Sequence, residues 1–240
     1  MGLTAKDNYL FEVPRVVLDD FFSAVENFDV PKIKNHDTEN FLAKVQSSKS
    51  IYAPIPKEEL HTFNTTYFHR NLLKSILAFN YFPNSYTKEG IVDFGCGLGT
   101  ASIAWIVGRK RLLAGGTNCI LIDDSPSQLS QARSVIENSK FDDISAQYYN
   151  KVPDKIPKGY FSFFCYSLCE LWAQDENLKL FTDETYVVDY RRVLYAASYQ
   201  NRQRNYDVEL RCTTVKLPKA LADMVDQREI RVNFLHAFRL

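Results

Sequence analysis

Apolar residues in the first third of the chain recur every three or four positions, the spacing of an amphipathic helix. Pro14 begins one predicted helix, and a shorter helix is predicted over 38–46. A longer helix follows and ends before Pro83. Its apolar face comprises Tyr67, Phe68, Leu72, Leu73, Ile76, Leu77 and Phe79, and that of the first helix comprises Leu18, Phe21, Phe22, Val25 and Phe28. We therefore expect residues 1–87 to form a helical N-terminal cap.

From residue 88 onward, short apolar runs alternate with segments of helical spacing. The predicted strands cover 91–94, 118–122 and 146–150 and a run that begins at Tyr160, and the predicted helices cover 100–113 and the segment after Ser125-Pro126. This alternation of strand and helix predicts a parallel sheet with helices packed on it. We therefore expect residues 88–240 to form one α/β domain.

The C-terminal part of the chain has a different pattern. Apolar residues alternate over 207–217 and, less regularly, over 231–240, which predicts a pair of antiparallel strands. The segment 186–197 is compatible with a helix, a strand, or one followed by the other. The sheet is therefore expected to be mostly parallel and to end in an antiparallel hairpin.

A glycine-rich loop connects the first of these strands to its helix. Asp93 is followed by Gly95, Gly97 and Gly99, and the helical segment begins at Thr100. Glycine lets the backbone adopt conformations closed to other residues and approach a ligand closely. The amides at the start of the helix favour a negative or polar ligand group. This loop therefore predicts a nucleotide-like ligand across the carboxyl end of a parallel sheet.

The pattern acid-x-Gly-x-Gly-x-Gly resembles motif I of the class I S-adenosylmethionine-dependent methyltransferases. A dinucleotide-binding loop needs glycine at the sixth position, which is Thr100 here, so a nicotinamide-dependent oxidoreductase is disfavoured. The resemblance implies a Rossmann-like, seven-stranded, mostly parallel sheet with an antiparallel C-terminal hairpin. It also implies S-adenosylmethionine as the cofactor, bound in this loop by Asp93, Gly95, Cys96, Gly97 and Gly99.

A second acidic position follows the next strand. Asp123 lies 28 residues after Gly95, and Ser125-Pro126 after it is a typical helix start. A carboxylate at this strand end can accept hydrogen bonds from ribose hydroxyls. Asp124 could take the same role, but we favour Asp123. The stretch 122–129 also resembles the second motif of the methyltransferase family.

Two further strand ends complete the expected site. The segment 160–172 resembles the family's fourth strand and its exit, which implies that Tyr166 and Ser167 lie beside the donor and the methyl acceptor. Tyr149 or Asn150, after the third strand, is expected near the adenine base, although neither is the acid that the family often has there. Phe161 also stands where the family often has an acid. No catalytic base can be assigned from the sequence.

The composition of the chain limits the classes of partner that the protein is expected to bind. The 240 residues carry 29 basic and 29 acidic side chains, so no net charge draws the chain to phosphate or lipid. No membrane span, signal region or metal-ligand spacing is apparent, and the five cysteines are expected to be buried thiols, which favours the cytoplasm. Residues 188–240 hold ten basic against six acidic side chains, which permits RNA contact but equally fits a solvated surface.

The sequence therefore predicts methyl transfer from S-adenosylmethionine to a small molecule, an RNA or a protein. Methylation of exocyclic base amines is disfavoured, because Cys165-Tyr166-Ser167-Leu168 replaces the Asn/Asp-Pro-Pro-aromatic motif of those enzymes. The alternative is a methyltransferase-like binding or assembly protein without catalytic activity. The acceptor and the oligomeric state are not encoded in any recognisable motif.

Overall fold

A computed structural model describes residues 10–31, 60–168, 182–202 and 205–239 of the chain. Within these residues, eight strands form one sheet in the order β1-β7-β8-β6-β5-β2-β3-β4. The strands are β1 (Leu10–Glu12), β2 (Gly90–Phe94), β3 (Thr117–Ile122), β4 (Ile144–Tyr149), β5 (Tyr160–Cys165), β6 (Glu184–Val188), β7 (Tyr206–Lys216) and β8 (Glu229–Arg239).

The topology confirms the Rossmann-like fold class. Strands β2 to β6 pair in parallel, and β8 lies antiparallel between β6 and β7. The predicted strands over 207–217 and 231–240 form this C-terminal hairpin. The resemblance implies seven strands, and the sheet has an eighth within the described residues. This additional strand is the three-residue β1, which pairs with β7 at the edge of the sheet.

Six described helices connect or cover the strands: α1 (Arg15–Asn27), α2 (Leu60–Tyr81), α3 (Thr100–Arg111), α4 (Pro126–Glu137), α5 (Arg191–Arg202) and α6 (Lys219–Val225). A 3₁₀ turn, Pro83–Thr87, leads from α2 into β2. The helix predicted over 38–46 lies outside the described residues. The ambiguous segment 186–197 contains the end of β6 followed by the first part of α5.

The sheet has an apolar layer on each face, because successive strand residues point to opposite sides. Helices α1 to α4 and α6 contribute buried side chains to one layer, and α5 contributes to the other. The N-terminal helices share the first layer with the sheet: the ring of Phe79 lies 4.6 Å from that of Phe163 and 6.0 Å from that of Phe161. Helix α2 is thus anchored on the sheet along its C-terminal half.

The parallel strands place their carboxyl ends along one edge of the sheet. The chain proceeds from β2 to β3 and β4 on one side, whereas β5 and β6 lie on the other side of β2. The strand order therefore reverses next to β2, and such a switch point opens a crevice at the carboxyl ends of the strands. The glycine-rich loop leaves β2 at this point.

At the opposite, amino edge of the sheet, Glu184 is the centre of a partly buried polar cluster. Its carboxylate forms an ion pair with Lys88, lies 2.9 Å from Nε2 of His236 and accepts a hydrogen bond from the Tyr186 hydroxyl. Burial alone would raise the pKa of Glu184, but the hydrogen bonds from these three partners outweigh it and lower the pKa to about 2.

We expect Glu184→Gln to destabilise the fold by about 2 kcal/mol at pH 7, because the ionised carboxylate is preferred in the folded state. The difference from wild type should shrink as the pH falls from about 4.5 towards 2, where the folded protein also becomes protonated. Urea unfolding at several pH values measures this effect. The control is Glu209→Gln, whose more exposed partner Arg211 should contribute only a few tenths of a kcal/mol.

Two further sequence expectations concern membranes and cysteines. Within the described residues, no helix combines the length and apolar character needed to cross a bilayer. Cys96, Cys119 and Cys165 are buried free thiols, and Cys212 is a partly exposed one. Cys169 lies outside the described residues.

Candidate functional site

The glycine-rich loop has the backbone that its sequence predicts. Gly95, Gly97 and Gly99 have φ values of +60°, +53° and +78°, all in the left-handed region that favours glycine. Two hydrogen bonds hold the loop in place: the N–H of Cys96 donates to the carbonyl of Ile122 at 3.0 Å, and that of Gly99 donates to the carbonyl of Cys96 at 2.7 Å. The loop is therefore fixed to the end of β3 as well as to β2.

The three glycines differ in what surrounds them. A Cβ at Gly95 would lie 2.4 Å from Cβ of Ser167, and one at Gly99 would lie 3.0 Å from Leu121. A Cβ at Gly97 would meet no atom within 4 Å. Gly95 and Gly99 are thus required for packing, whereas Gly97 exposes bare backbone to open space. This geometry fits a loop that receives a nucleoside.

Asp93 supports the loop from below. Its side chain is 1% exposed, and its Oδ2 accepts hydrogen bonds from the backbone N–H and the hydroxyl of Ser102, each at 3.0 Å. Burial raises the pKa of Asp93 to about 7, although the two bonds from Ser102 oppose the rise. The structure therefore places Asp93 where it ties the first turn of α3 to β2, beneath the loop rather than on its open face.

Asp123 lies at the end of β3, next to the open glycine. Its Oδ2 accepts the N–H of Gly97 at 2.9 Å, and its Oδ1 accepts the N–H of Ser125 at 2.9 Å. Burial raises its pKa, and these two backbone hydrogen bonds oppose the rise. A carboxylate has about four acceptor positions, so two remain for a ligand. Asp123 therefore joins the glycine loop to the start of α4.

The other predicted donor-side residues lie around this pair. Asp124 is exposed beside Asp123. Tyr149 ends β4 with 36% of its surface exposed, and its carbonyl accepts the N–H of Asp123 at 3.2 Å. Asn150 follows and is exposed. Since β4 pairs with β3, these residues flank the loop on the side away from β5.

Tyr166 and Ser167 lie on the other side of the loop, at the exit of β5. The hydroxyl of Ser167 is buried and donates to the carbonyl of Phe94 at 2.6 Å, which ties the β5 exit to the end of β2. Tyr166 is partly exposed and has a φ of +58°. A non-glycine residue in this region is strained, and such residues cluster at functional sites.

Sequence reasoning missed a partner of Tyr166 on α2. The ammonium of Lys74, on α2, donates to the Tyr166 hydroxyl at 2.6 Å and lies 4.5 Å from the centre of its ring. Burial lowers the pKa of Lys74 to about 8, and burial also raises the pKa of the Tyr166 phenol. The available signal was a lysine inside the apolar stretch Leu72-Leu73-Lys74-Ser75-Ile76-Leu77.

Helix α2 also contacts α4, the helix that follows Asp123. Near its start, the Asn64 amide donates to Gln131 at 2.9 Å and accepts from Gln128 at 3.2 Å, and both partners belong to α4. Farther along α2, Arg70 donates to the carbonyl of Val225 at 2.9 Å. The helix therefore contacts α4 near its start, the end of α6 farther along, and Tyr166 at the exit of β5.

Neither the protein-family models nor the curated proteins include a match to the chain. Among solved structures, it is similar to a SAM-dependent methyltransferase from Aquifex aeolicus (12% identity, 77% of this chain and 98% of that chain covered, TM-score 0.49). It is also similar to precorrin-6y C5,15-methyltransferase from Geobacter metallireducens (14% identity, 66% of this chain and 87% of that chain covered, TM-score 0.47). A third similar structure is magnesium protoporphyrin IX methyltransferase from Synechocystis (13% identity, 86% of this chain and 99% of that chain covered, TM-score 0.46). The fold assignment rests on this chain's own strand order and loop geometry.

Proposed function

We propose that the protein transfers a methyl group from S-adenosylmethionine to an acceptor bound beside Tyr166. The observation that carries this proposal is the juxtaposition of Gly97 and Asp123. Gly97 leaves open space above a left-handed backbone, and the Asp123 carboxylate lies within hydrogen-bond distance of the Gly97 amide. A flat nucleoside can lie against such a backbone while its ribose hydroxyls reach the carboxylate.

Each group at the strand ends has a separate task in this proposal. Gly97 lets the donor approach the backbone, Asp123 accepts hydrogen bonds from the ribose, and Tyr149 flanks the base. Asp93 and Ser102 keep the loop and α3 in place. S-adenosylmethionine supplies an already activated methyl group on a sulfonium, so the protein mainly has to align the acceptor and exclude water.

The order of the strands supports an acceptor site next to β5. Gly95 follows Phe94, which pairs with Phe164 of β5, so the glycine loop and Tyr166 leave neighbouring strands at the same edge. A donor seated on Gly97 with its ribose towards β3 therefore has the β5 exit on its other side. Tyr166 is partly exposed there and is in reach of an acceptor.

Isothermal titration with S-adenosylmethionine and S-adenosylhomocysteine tests donor binding. We expect a roughly micromolar dissociation constant for each, about −8 kcal/mol. Tritium from the labelled methyl group should then appear in a product when cell extract is added. Binding without label transfer would favour the alternative, a methyltransferase-like binding or assembly protein. No heat at millimolar donor would contradict both the donor site and the enzyme.

Separating the labelled product into RNA, protein and small-molecule fractions identifies the class of acceptor. The exposed Arg191 and Arg192 at the start of α5, together with Tyr199, which is 68% exposed, form a surface suited to an RNA acceptor. Label in the RNA fraction that is lost on Arg191→Glu would support that acceptor. Label in the small-molecule or protein fraction would indicate an acceptor that binds beside Tyr166 without using the arginine surface of α5.

A further inference from the structure

Lys74 occupies an unusual position for a lysine. It lies in the C-terminal half of α2 between the buried Leu73 and Ser75, and its ammonium contacts Tyr166 at the exit of β5. A lysine ammonium that is only structural is commonly paired with a carboxylate. The partner found here is instead the neutral hydroxyl of Tyr166. The pair therefore places a basic nitrogen one hydrogen bond away from the phenol of a partly exposed tyrosine.

The surroundings of the pair come from three elements. Cys165 lies at the end of β5, with its thiol 3.7 Å from the hydroxyl of Ser75. Asp189 and Tyr190 follow β6, and the ring of Tyr190 lies 5.2 Å from that of Tyr166. Arg70 lies one turn earlier on α2, but the Val225 carbonyl and the Asp226 carboxylate hold its guanidinium.

These groups set the protonation of the pair. Burial is the largest effect on the pKa of Lys74 and lowers it to about 8, Arg70 lowers it further, and Cys165 and Asp189 oppose the shift. Burial likewise raises the pKa of the Tyr166 phenol, and Cys165, Asp189 and Tyr190 add to the rise. The phenol therefore remains protonated while the amine can lose its proton near neutral pH.

We propose that Tyr166 and Lys74 form a proton relay that receives the proton of the methyl acceptor, which is therefore a hydroxyl or amino group. This inference rests on the proposed function. The acceptor atom forms its bond to the methyl carbon, and the carbon–sulfur bond breaks with its electron pair remaining on sulfur. The acceptor's proton passes to Oη of Tyr166 as the phenol's own proton passes to the neutral Nζ of Lys74, which later releases it to solvent.

The relay assigns different roles to the two residues. Tyr166 contacts the acceptor and is a catalytic residue, whereas Lys74 acts through it and is a positioning and proton-storing residue. A carboxylate acceptor has no proton to give at neutral pH, so it would gain nothing from this arrangement. The strained backbone of Tyr166 is accounted for in the same way, because it holds the hydroxyl towards Lys74 and the crevice.

The first test measures the titration of Lys74 directly, by NMR of protein labelled with ¹³C-lysine, with Lys74→Arg used to identify its signal. Replacing bound S-adenosylhomocysteine by S-adenosylmethionine adds one positive charge at the sulfur. We expect this replacement to lower the pKa of Lys74 by about one unit or more if the pair faces the methyl group. Lys88, at the amino edge of the sheet, should not respond.

The results separate the two proposals. If isothermal titration detects binding of neither compound, the donor site is wrong and the proposed function fails. If both bind and the Lys74 pKa is the same in the two complexes, the donor site stands and the relay is overturned. This second result would mean that Lys74 lies too far from the methyl group to take up the acceptor's proton.

The second test follows label transfer to cell extract from pH 6 to pH 10. In wild type we expect a tenfold rise per pH unit up to a plateau, with a midpoint at the Lys74 pKa measured with the donor bound. Tyr166→Phe and Lys74→Met should each lose this rise and be at least roughly 100-fold slower at pH 8. An unchanged profile in Lys74→Met would overturn the relay even though transfer itself supports the function.

Discussion

Gly97→Ala is expected to weaken the binding of S-adenosylmethionine by about 30-fold or more while the protein stays folded. The added methyl group meets no protein atom within 4 Å, so only the strain of the left-handed φ, about 1 kcal/mol, acts on the fold. The methyl group added by the substitution would occupy the space in which the donor would contact the backbone. Such steric overlap costs about 1–3 kcal/mol of binding free energy. Isothermal titration measures the loss, and circular dichroism checks the fold.

Gly116 provides a matched control for this substitution. Its φ of +44° is also left-handed, and a Cβ there would likewise meet no atom within 4 Å. Gly116→Ala should therefore cause a similar backbone strain, about 1 kcal/mol, but no change in donor affinity. Equal losses of affinity in the two variants would mean that strain alone explains the result, and the proposed seat for the donor would be wrong.

Asp123→Ala is expected to weaken donor binding by roughly 100-fold, equivalent to about 2.7 kcal/mol. The variant loses the proposed hydrogen bonds to the ribose and also frees the N–H groups of Gly97 and Ser125. Titration calorimetry gives the affinity. Asp124→Ala, which alters the exposed neighbouring carboxylate, should change the affinity by no more than about threefold.

A deoxyribose analogue separates the two effects of Asp123→Ala. Wild type should bind S-adenosylhomocysteine more tightly than its 2′-deoxy analogue, because the analogue cannot complete the bond to the carboxylate. The Asp123→Ala variant should bind the two compounds equally. The effects of removing the carboxylate and of removing the ribose hydroxyl are then non-additive. If the preference for the ribose hydroxyl persists in Asp123→Ala, the carboxylate shapes the loop but does not contact the sugar.

The local rules of backbone geometry made the glycine loop predictable from sequence. Each of its three glycines requires a left-handed φ, and a strand before and a helix after them restrict the possible folds. The helix start at Ser125 is similarly local, since its hydroxyl accepts the N–H of Gln128. Such features depend on residues that are neighbours along the chain.

The features that were not predicted depend on contacts between distant residues. Strand β1 has only three residues and exists because it pairs with Thr214–Lys216 of β7, so no periodicity reveals it. Lys74 and Tyr166 are 92 positions apart. The role of Asp93 beneath the loop depends on the orientation of Ser102 in α3, and the sequence motif alone does not distinguish a ligand-binding acid from a supporting one.

The contact between Gly95 and Ser167 limits how this protein could change its specificity. The turns after β2 and β5 touch so closely that a single methyl group would not fit between them, and the Ser167 hydroxyl joins them. In the proposed function, the donor side and the acceptor side thus share one tightly packed joint, so a change on one side would disturb the other. A new acceptor would then have to be accommodated by changes in α2, which contacts Tyr166 but is not part of that joint.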